Sequence, residues 1–226
     1  MSWFVSYVRS SVGGKQVMAV TGLGLLLFAI VHMLGHLGMF AGRDAYNTYA
    51  HTLQSLGALK WAARGGLLAM LAIHVAVAIS LARANSAARP QKYAVYRTRE
   101  TTFFARTMTI TGLIILAFVI YHLAHFTLGW VQPEHFHQLD PAGRYDAYSM
   151  FVMGFQRLPI LGSYLVAVTL LSFHLTHGAS SWLQSLGWRH PRYEAATSKL
   201  GPLLGLGLAV GYAAPPLAVL FKIIEL

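Results

Sequence analysis

The chain has 226 residues, 56% of them apolar and only 11% charged, with a mean hydropathy of +0.53, whereas a soluble domain carries roughly a quarter charged residues. Cysteine is absent, which excludes a disulfide framework, a thiolate zinc site, an iron–sulfur cluster and covalent C-x-x-C-H cofactor attachment. The net charge of +10 reads as Lys/Arg-rich loops facing the cytoplasm, and no nucleic-acid role is expected. Met1 to Gly14 holds no short apolar stretch with a small-residue cleavage site, so no removable signal peptide is expected.

Five stretches, in chain order Lys15–Phe40, Trp61–Arg83, Phe104–Gly129, Pro159–Leu186 and Leu200–Phe221, are long enough, or nearly so, to cross roughly 30 Å of hydrocarbon at about 1.5 Å per residue. Lipid offers no partner to free backbone groups, and the stretches lack two-residue alternation, so each is expected to be helical. The chain therefore reads as one integral membrane domain over residues 1–226. The fold class is an all-α bundle of five transmembrane helices, multi-pass in the cell inner (cytoplasmic) membrane. Gly201, Gly205, Gly207, Gly211 and Pro215-Pro216 weaken the fifth stretch, although membrane helices tolerate both residue types and a glycine face permits close packing.

Orientation follows from the basic residues. Arg9, Lys15, Arg83, Arg89, Lys92, Arg97, Arg99, Arg106, Arg189, Arg192 and Lys199 fall on one side, and Arg43, Lys60, Arg64, Arg144, Arg157 and Lys222 on the other. The excess puts the N-terminus in the cytoplasm and the C-terminus outside. The most basic connection, Ala84–Phe103, suits an acidic soluble partner or anionic lipid headgroups. On the outer side, Asp44–Leu56 and Ala142–Phe155 mix aromatic and polar residues, which predicts short helices lying at the interface.

All seven carboxylates lie outside the apolar stretches, but seven histidines lie inside them: His32 and His36, then His74, then His122 and His125, then His174 and His177. Ionisable residues at membrane depth read as functional. One buried histidine is easily explained as a hydrogen-bonding residue; four consecutive spans, each with one and none with a carboxylate, are not. Zinc accepts histidine, but di-iron bundles require several glutamates at depth. Bis-histidine haem fits better, because haem brings its own apolar bulk and needs only axial nitrogens.

An internal echo sharpens the choice of ligands. The first span reads TGLGLLLFAIVH and the third TGLIILAFVIYH, ending at His32 and His122. Both helices run outward, so these histidines form a plausible axial pair for an outer haem. Thr21 and Thr111 lie eleven residues earlier, on the same helix face and roughly 16 Å further in. If that face lines the interior they reach the level of an inner haem, with Gly22 and Gly112 admitting a porphyrin edge; ordinary small-residue packing is the equal alternative. The second and fourth spans run inward. His74 lies roughly 14 Å from Arg83 at the inner edge, and either His174 or His177 can meet it: depth favours His177, the match of LAIH with LSFH favours His174. Two haems at different depths form an electron wire, and the chain supplies no nucleophile, general-base pair or phosphate loop.

The motifs FAIVHMLGH, AGRDAYNTYAHTLQSL, VIYHLAH and FHLTHG running into SLGWRHPR resemble the di-haem cytochrome b membrane anchor of succinate dehydrogenase (succinate:quinone oxidoreductase) and fumarate reductase. The resemblance covers the first through fourth spans; the fifth matches only as an apolar segment. It implies two b-type haems with axial ligands His32, His74, His122 and His174, His32 paired with His122 and His74 with His174. It makes His36, His125 and His177 contacts to a ligand or a haem propionate. It further implies a flavoprotein subunit and an iron–sulfur subunit on the cytoplasmic face, with quinone, menaquinone by expectation, reacting near the outer haem. Some relatives carry a glutamate within a helix for proton return; the span holding His174 has Ser172 and no carboxylate. His51 and Gln54 are candidates to hydrogen-bond a quinone carbonyl, or simply a polar interfacial face. Two alternatives compete. A hydrogenase or formate dehydrogenase anchor would differ in helix number and histidine placement. A histidine-lined metal transporter would need a polar or acidic path that the spans lack.

Overall fold

The computed structural model describes residues 2–88, 91 and 101–226. Most of the basic connection expected to meet an acidic partner or headgroups falls outside the described residues. Among the described residues the chain forms helices and no strand: α1 (Trp3–Arg9), α2 (Ser11–Leu37), α3 (Arg43–Gln54), α4 (Ala58–Ala87), α5 (Phe103–Phe126), α6 (Ala147–Phe155), α7 (Leu158–Ser185) and α8 (Glu194–Leu220). Five of them, α2, α4, α5, α7 and α8, are long and apolar enough to cross a membrane. Their outward faces carry exposed large apolar residues, among them Val20, Leu27 and Val31 on α2, Leu68 and Ile73 on α4, and Leu203, Leu206 and Val210 on α8. Water would penalise such a surface; hydrocarbon matches it.

Local chemistry sets the helix ends. The Ser10 hydroxyl accepts from the Gly13 N–H at 3.1 Å and opens α2, and the Thr102 hydroxyl accepts from Ala105 at 3.2 Å and opens α5. The spans differ from the sequence estimates by several residues. The third ends at Phe126 instead of Gly129 because Gly129 turns left-handed (φ 65°) and the Trp130 N–H returns to the Ala124 carbonyl at 2.8 Å. The fifth begins at Glu194 instead of Leu200, since a helix continues past the membrane edge without needing apolar residues.

The spans form a square in which sequence neighbours are adjacent: α2 lies on α4, α5 on α7, and α2 on α7, while α4 and α5 touch only thinly. The diagonals, α2 to α5 and α4 to α7, lack substantial backbone contact. Helix α8 packs on α7 and α2 through its small face. A side chain at Gly201 would strike the Thr176 carbonyl and the Ser180 hydroxyl, and one at Gly205 the Thr176 hydroxyl. The Ser172 hydroxyl donates to the Gly205 carbonyl at 2.9 Å, and the Tyr212 hydroxyl to the Ala29 carbonyl at 2.7 Å.

The main apolar core sits at one end of the bundle, around Met39, Phe151, Val152, Phe155, Leu161 and Tyr164. Both short helices expected from the connections are present as α3 and α6, and α6 is nearly all buried against the bundle. Its aromatic residues complete this core. A polar clasp ties α3 to the loop before α6. Arg43 pairs with Asp146, and Arg144 with Asp140 and Asp44. Fully buried Asn47 donates to Asp140 at 3.2 Å and to Asp146 at 2.9 Å, and accepts from the Tyr148 N–H at 2.9 Å.

Candidate functional site

Seven histidines from four helices point into the bundle at two levels. At the first level the rings of His32 on α2 and His122 on α5 face each other across a diagonal, centres 5.9 Å apart and nearly perpendicular at 83°. The His32 Nε2 lies 3.3 Å from the His36 Nε2. The Tyr46 hydroxyl stands 2.9 Å from the His36 Nδ1. Burial, with Tyr49 beside it, pushes the Tyr46 phenol above its ordinary range, so it stays protonated and donates to that nitrogen. On the other side one hydroxyl serves two rings: Tyr164 on α7 lies 3.3 Å from the His122 Nδ1 and 3.0 Å from the His125 Nδ1. The His125 Nε2 is 2.9 Å from the Gln132 Oε1. Phe118 and Phe126 tilt against His122 at centre distances of 6.0 and 5.8 Å.

At the second level the geometry repeats itself. The Thr21 hydroxyl on α2 lies 3.1 Å from the His74 Nδ1 on α4, and the Thr111 hydroxyl on α5 lies 3.3 Å from the His174 Nδ1 on α7. Both hydroxyls also reach carbonyls one turn back, Val17 at 2.8 Å and Thr107 at 2.9 Å. A carbonyl only accepts, so each hydroxyl hydrogen is committed there and the oxygen is left to accept from the ring. The same hydroxyls also reach the Met18 and Met108 carbonyls, each at 3.2 Å. Both rings therefore carry the proton on Nδ1, and the Nε2 lone pair is free to bind a metal.

The close approach that Gly22 and Gly112 allow is that of an imidazole. A Cβ on Gly22 would sit 3.1 Å from the His74 Cε1, and one on Gly112 would sit 3.3 Å from the His174 Cε1. His177 hydrogen-bonds to no described residue. Of the loop candidates, Gln54 lines a cavity of about 150 Å³ together with His32, His36, Tyr46, Tyr49 and Leu53; His51 is exposed and lies outside that lining.

Sequence reasoning missed Tyr164, Tyr46 and Gln132. A tyrosine within a span was the available signal for Tyr164, since a hydroxyl at membrane depth needs a partner. Among the described residues no group of three or more histidines and carboxylates is placed to hold a metal ion. What the site offers is pairs of neutral imidazole nitrogens, which suits a metal whose remaining ligands arrive with it. No family model matches the chain, and no curated protein or solved structure is detectably similar to it.

Proposed function

We propose that this chain is a membrane-anchoring di-haem cytochrome b subunit of the succinate dehydrogenase type. In this reading it passes electrons between a flavoprotein/iron–sulfur partner on the cytoplasmic face and membrane quinone, menaquinone by expectation. The observation that carries the reading is the His32–His122 pair across one diagonal, together with His74 and His174, each held by a threonine on the next span in the same way.

The donor set fits the cofactor. The ring centres of His32 and His122 stand 5.9 Å apart, so these two imidazoles would hold the iron, with the His36 contact at the His32 Nε2 given up. His74 and His174 present free Nε2 atoms because threonine oxygens hold Nδ1–H. Bound haem would supply one-electron iron chemistry at two depths. The chain's own part is to fix the rings of His74, His122 and His174 in one tautomer each, to exclude water with Phe118, Phe126 and Tyr164, and to keep carboxylates out of the spans. The cavity at His36, Tyr46, Tyr49 and Gln54 offers hydroxyl, imidazole and amide groups to a quinone carbonyl beside the outer pair. In the proposed orientation the N-terminus is cytoplasmic and the C-terminus outside, in the inner membrane.

A pyridine haemochrome assay on the purified protein is expected to give about two b haems per chain. His32→Ala or His122→Ala should each remove one haem and leave the other. Protein made with adequate haem supply that binds none would sink the reading, and loss of the inner haem alone from either variant would overturn the pairing.

A further inference from the structure

Four of the hydrogen-bonding groups near the outer pair form a directional chain. The Gln132 Oε1 only accepts, so the His125 Nε2 donates to it at 2.9 Å. Neutral His125 then has a bare Nδ1, which accepts from the Tyr164 hydroxyl at 3.0 Å. That hydrogen is committed, so the Tyr164 oxygen faces the His122 Nδ1, 3.3 Å away, as an acceptor. His122 donates from Nδ1 and keeps its Nε2 lone pair bare. Reversing the terminal amide would reverse every bond and leave a proton on the His122 Nε2.

Gln132 bears the marks of a residue held for its orientation. It is 9% exposed and adopts a left-handed conformation (φ 58°, ψ 56°) that a glutamine rarely takes. Its Nε2 is a buried donor with no partner, the only such side-chain atom among the described residues. Strain and an unpaired polar group coincide where function demands a geometry. His32, the opposite member of the pair, has no such acceptor chain; its hydrogen-bonding neighbour is the His36 Nε2.

We propose that Tyr164 is a positioning residue that fixes the tautomer of His122 and raises its basicity as an axial ligand, with Gln132 setting the direction through His125. This rests on the haem reading above. An acceptor on the far ring nitrogen makes an imidazole a stronger donor to iron and favours the ferric state, which lowers the potential. The two levels therefore differ in kind: the inner rings are held by threonine hydroxyls, and the outer pair would be held on one side by a tyrosine linked through His125 to Gln132.

Redox titration of the purified protein tests this, after haem has been counted in the wild type. Tyr164→Phe keeps the ring in the core and removes the hydroxyl, both the acceptor facing His122 and the donor to His125. It should retain two haems per chain and raise the potential of one, the haem that His32→Ala eliminates, while the other stays fixed. Gln132→Leu should shift the same haem upward by a smaller amount, and adding it to Tyr164→Phe should change nothing further. Unmoved potentials, a downward shift, or additive effects of the two substitutions would overturn the positioning role while the haem count stands. A wild type with no haem removes the haem reading and this role together. If Tyr164→Phe sheds the outer haem, Gln132→Leu leaves the tyrosine in place and carries the same measurement and criteria.

Discussion

Thr21 and Thr111 were legible in the sequence as half of an internal echo, and their chemistry became definite only where each meets a ring on the next span. Replacing either by valine keeps shape and removes the acceptor, at a net cost of about 1 kcal/mol for the lost hydrogen bond. In the di-haem reading, Thr21→Val and Thr111→Val should weaken retention of the inner haem under detergent washing, with serine restoring it. Gly22→Ala should do more damage than Gly112→Ala, since its new Cβ would press harder on the imidazole, 3.1 Å against 3.3 Å. Haem-to-protein ratios and reduced difference spectra read this out; loss of the outer haem instead would show that the threonines serve the other level. Tyr164 was not legible because its partners lie 42 and 39 residues away in sequence, and no spacing rule links a hydroxyl to rings on another helix. Gln132 was hidden for a further reason. A glutamine in a polar loop looks solvated until the fold buries it.

At the level of elements, the spans were readable from length and apolar content alone, but their partners were not. The fifth span carried no chemistry in the sequence, and its glycines proved to be the contact surface for the Thr176 and Ser180 side of α7. The clasp between α3 and the loop before α6 depends on charges that sequence reading placed on the same outer side of the membrane without pairing them. Burial alone would raise both carboxyls. Hydrogen bonds from Arg144 and Asn47 outweigh it and hold Asp140 at about 2, and Arg43, Asn47 and Ser149 hold Asp146 below the ordinary carboxylate range. A carboxyl whose folded-state value is depressed stabilises the fold above its unfolded value, near 3.9 for aspartate, and loses that contribution as the pH falls through the folded value. The clasp should therefore be intact from neutral pH to about 4 and open between about 4 and 2. Hydrogen exchange at the Tyr148 N–H, which Asn47 accepts at 2.9 Å, should accelerate in that window and not above it. Arg144→Gln should move the opening to higher pH, and an opening that begins near pH 6 would mean that histidines, not these aspartates, control it.

At the scale of the whole molecule, five crossings, as proposed, would put the termini on opposite sides, and the question to test is which side is which. The helices themselves carry little of that information, because their apolar faces fit hydrocarbon equally well in either sense. The charged connections carry it instead: the sequence assigns eleven basic residues to the proposed cytoplasmic side against six to the other. The same choice fixes which histidine pair lies outermost and on which side a soluble redox partner would dock. The absence of cysteine makes the test clean, since a single introduced thiol reports alone. Ser55 and Ala142 lie exposed in the two connections on the proposed outer side, and Gln91 lies exposed on the proposed cytoplasmic side. In intact cells a membrane-impermeant maleimide should label Ser55→Cys and Ala142→Cys and spare Gln91→Cys until the membrane is opened. The opposite pattern would invert the molecule and put the His32–His122 level next to the cytoplasm. Labelling of Ser55→Cys without Ala142→Cys would go further, because the clasp joins those two loops and no membrane can pass between them.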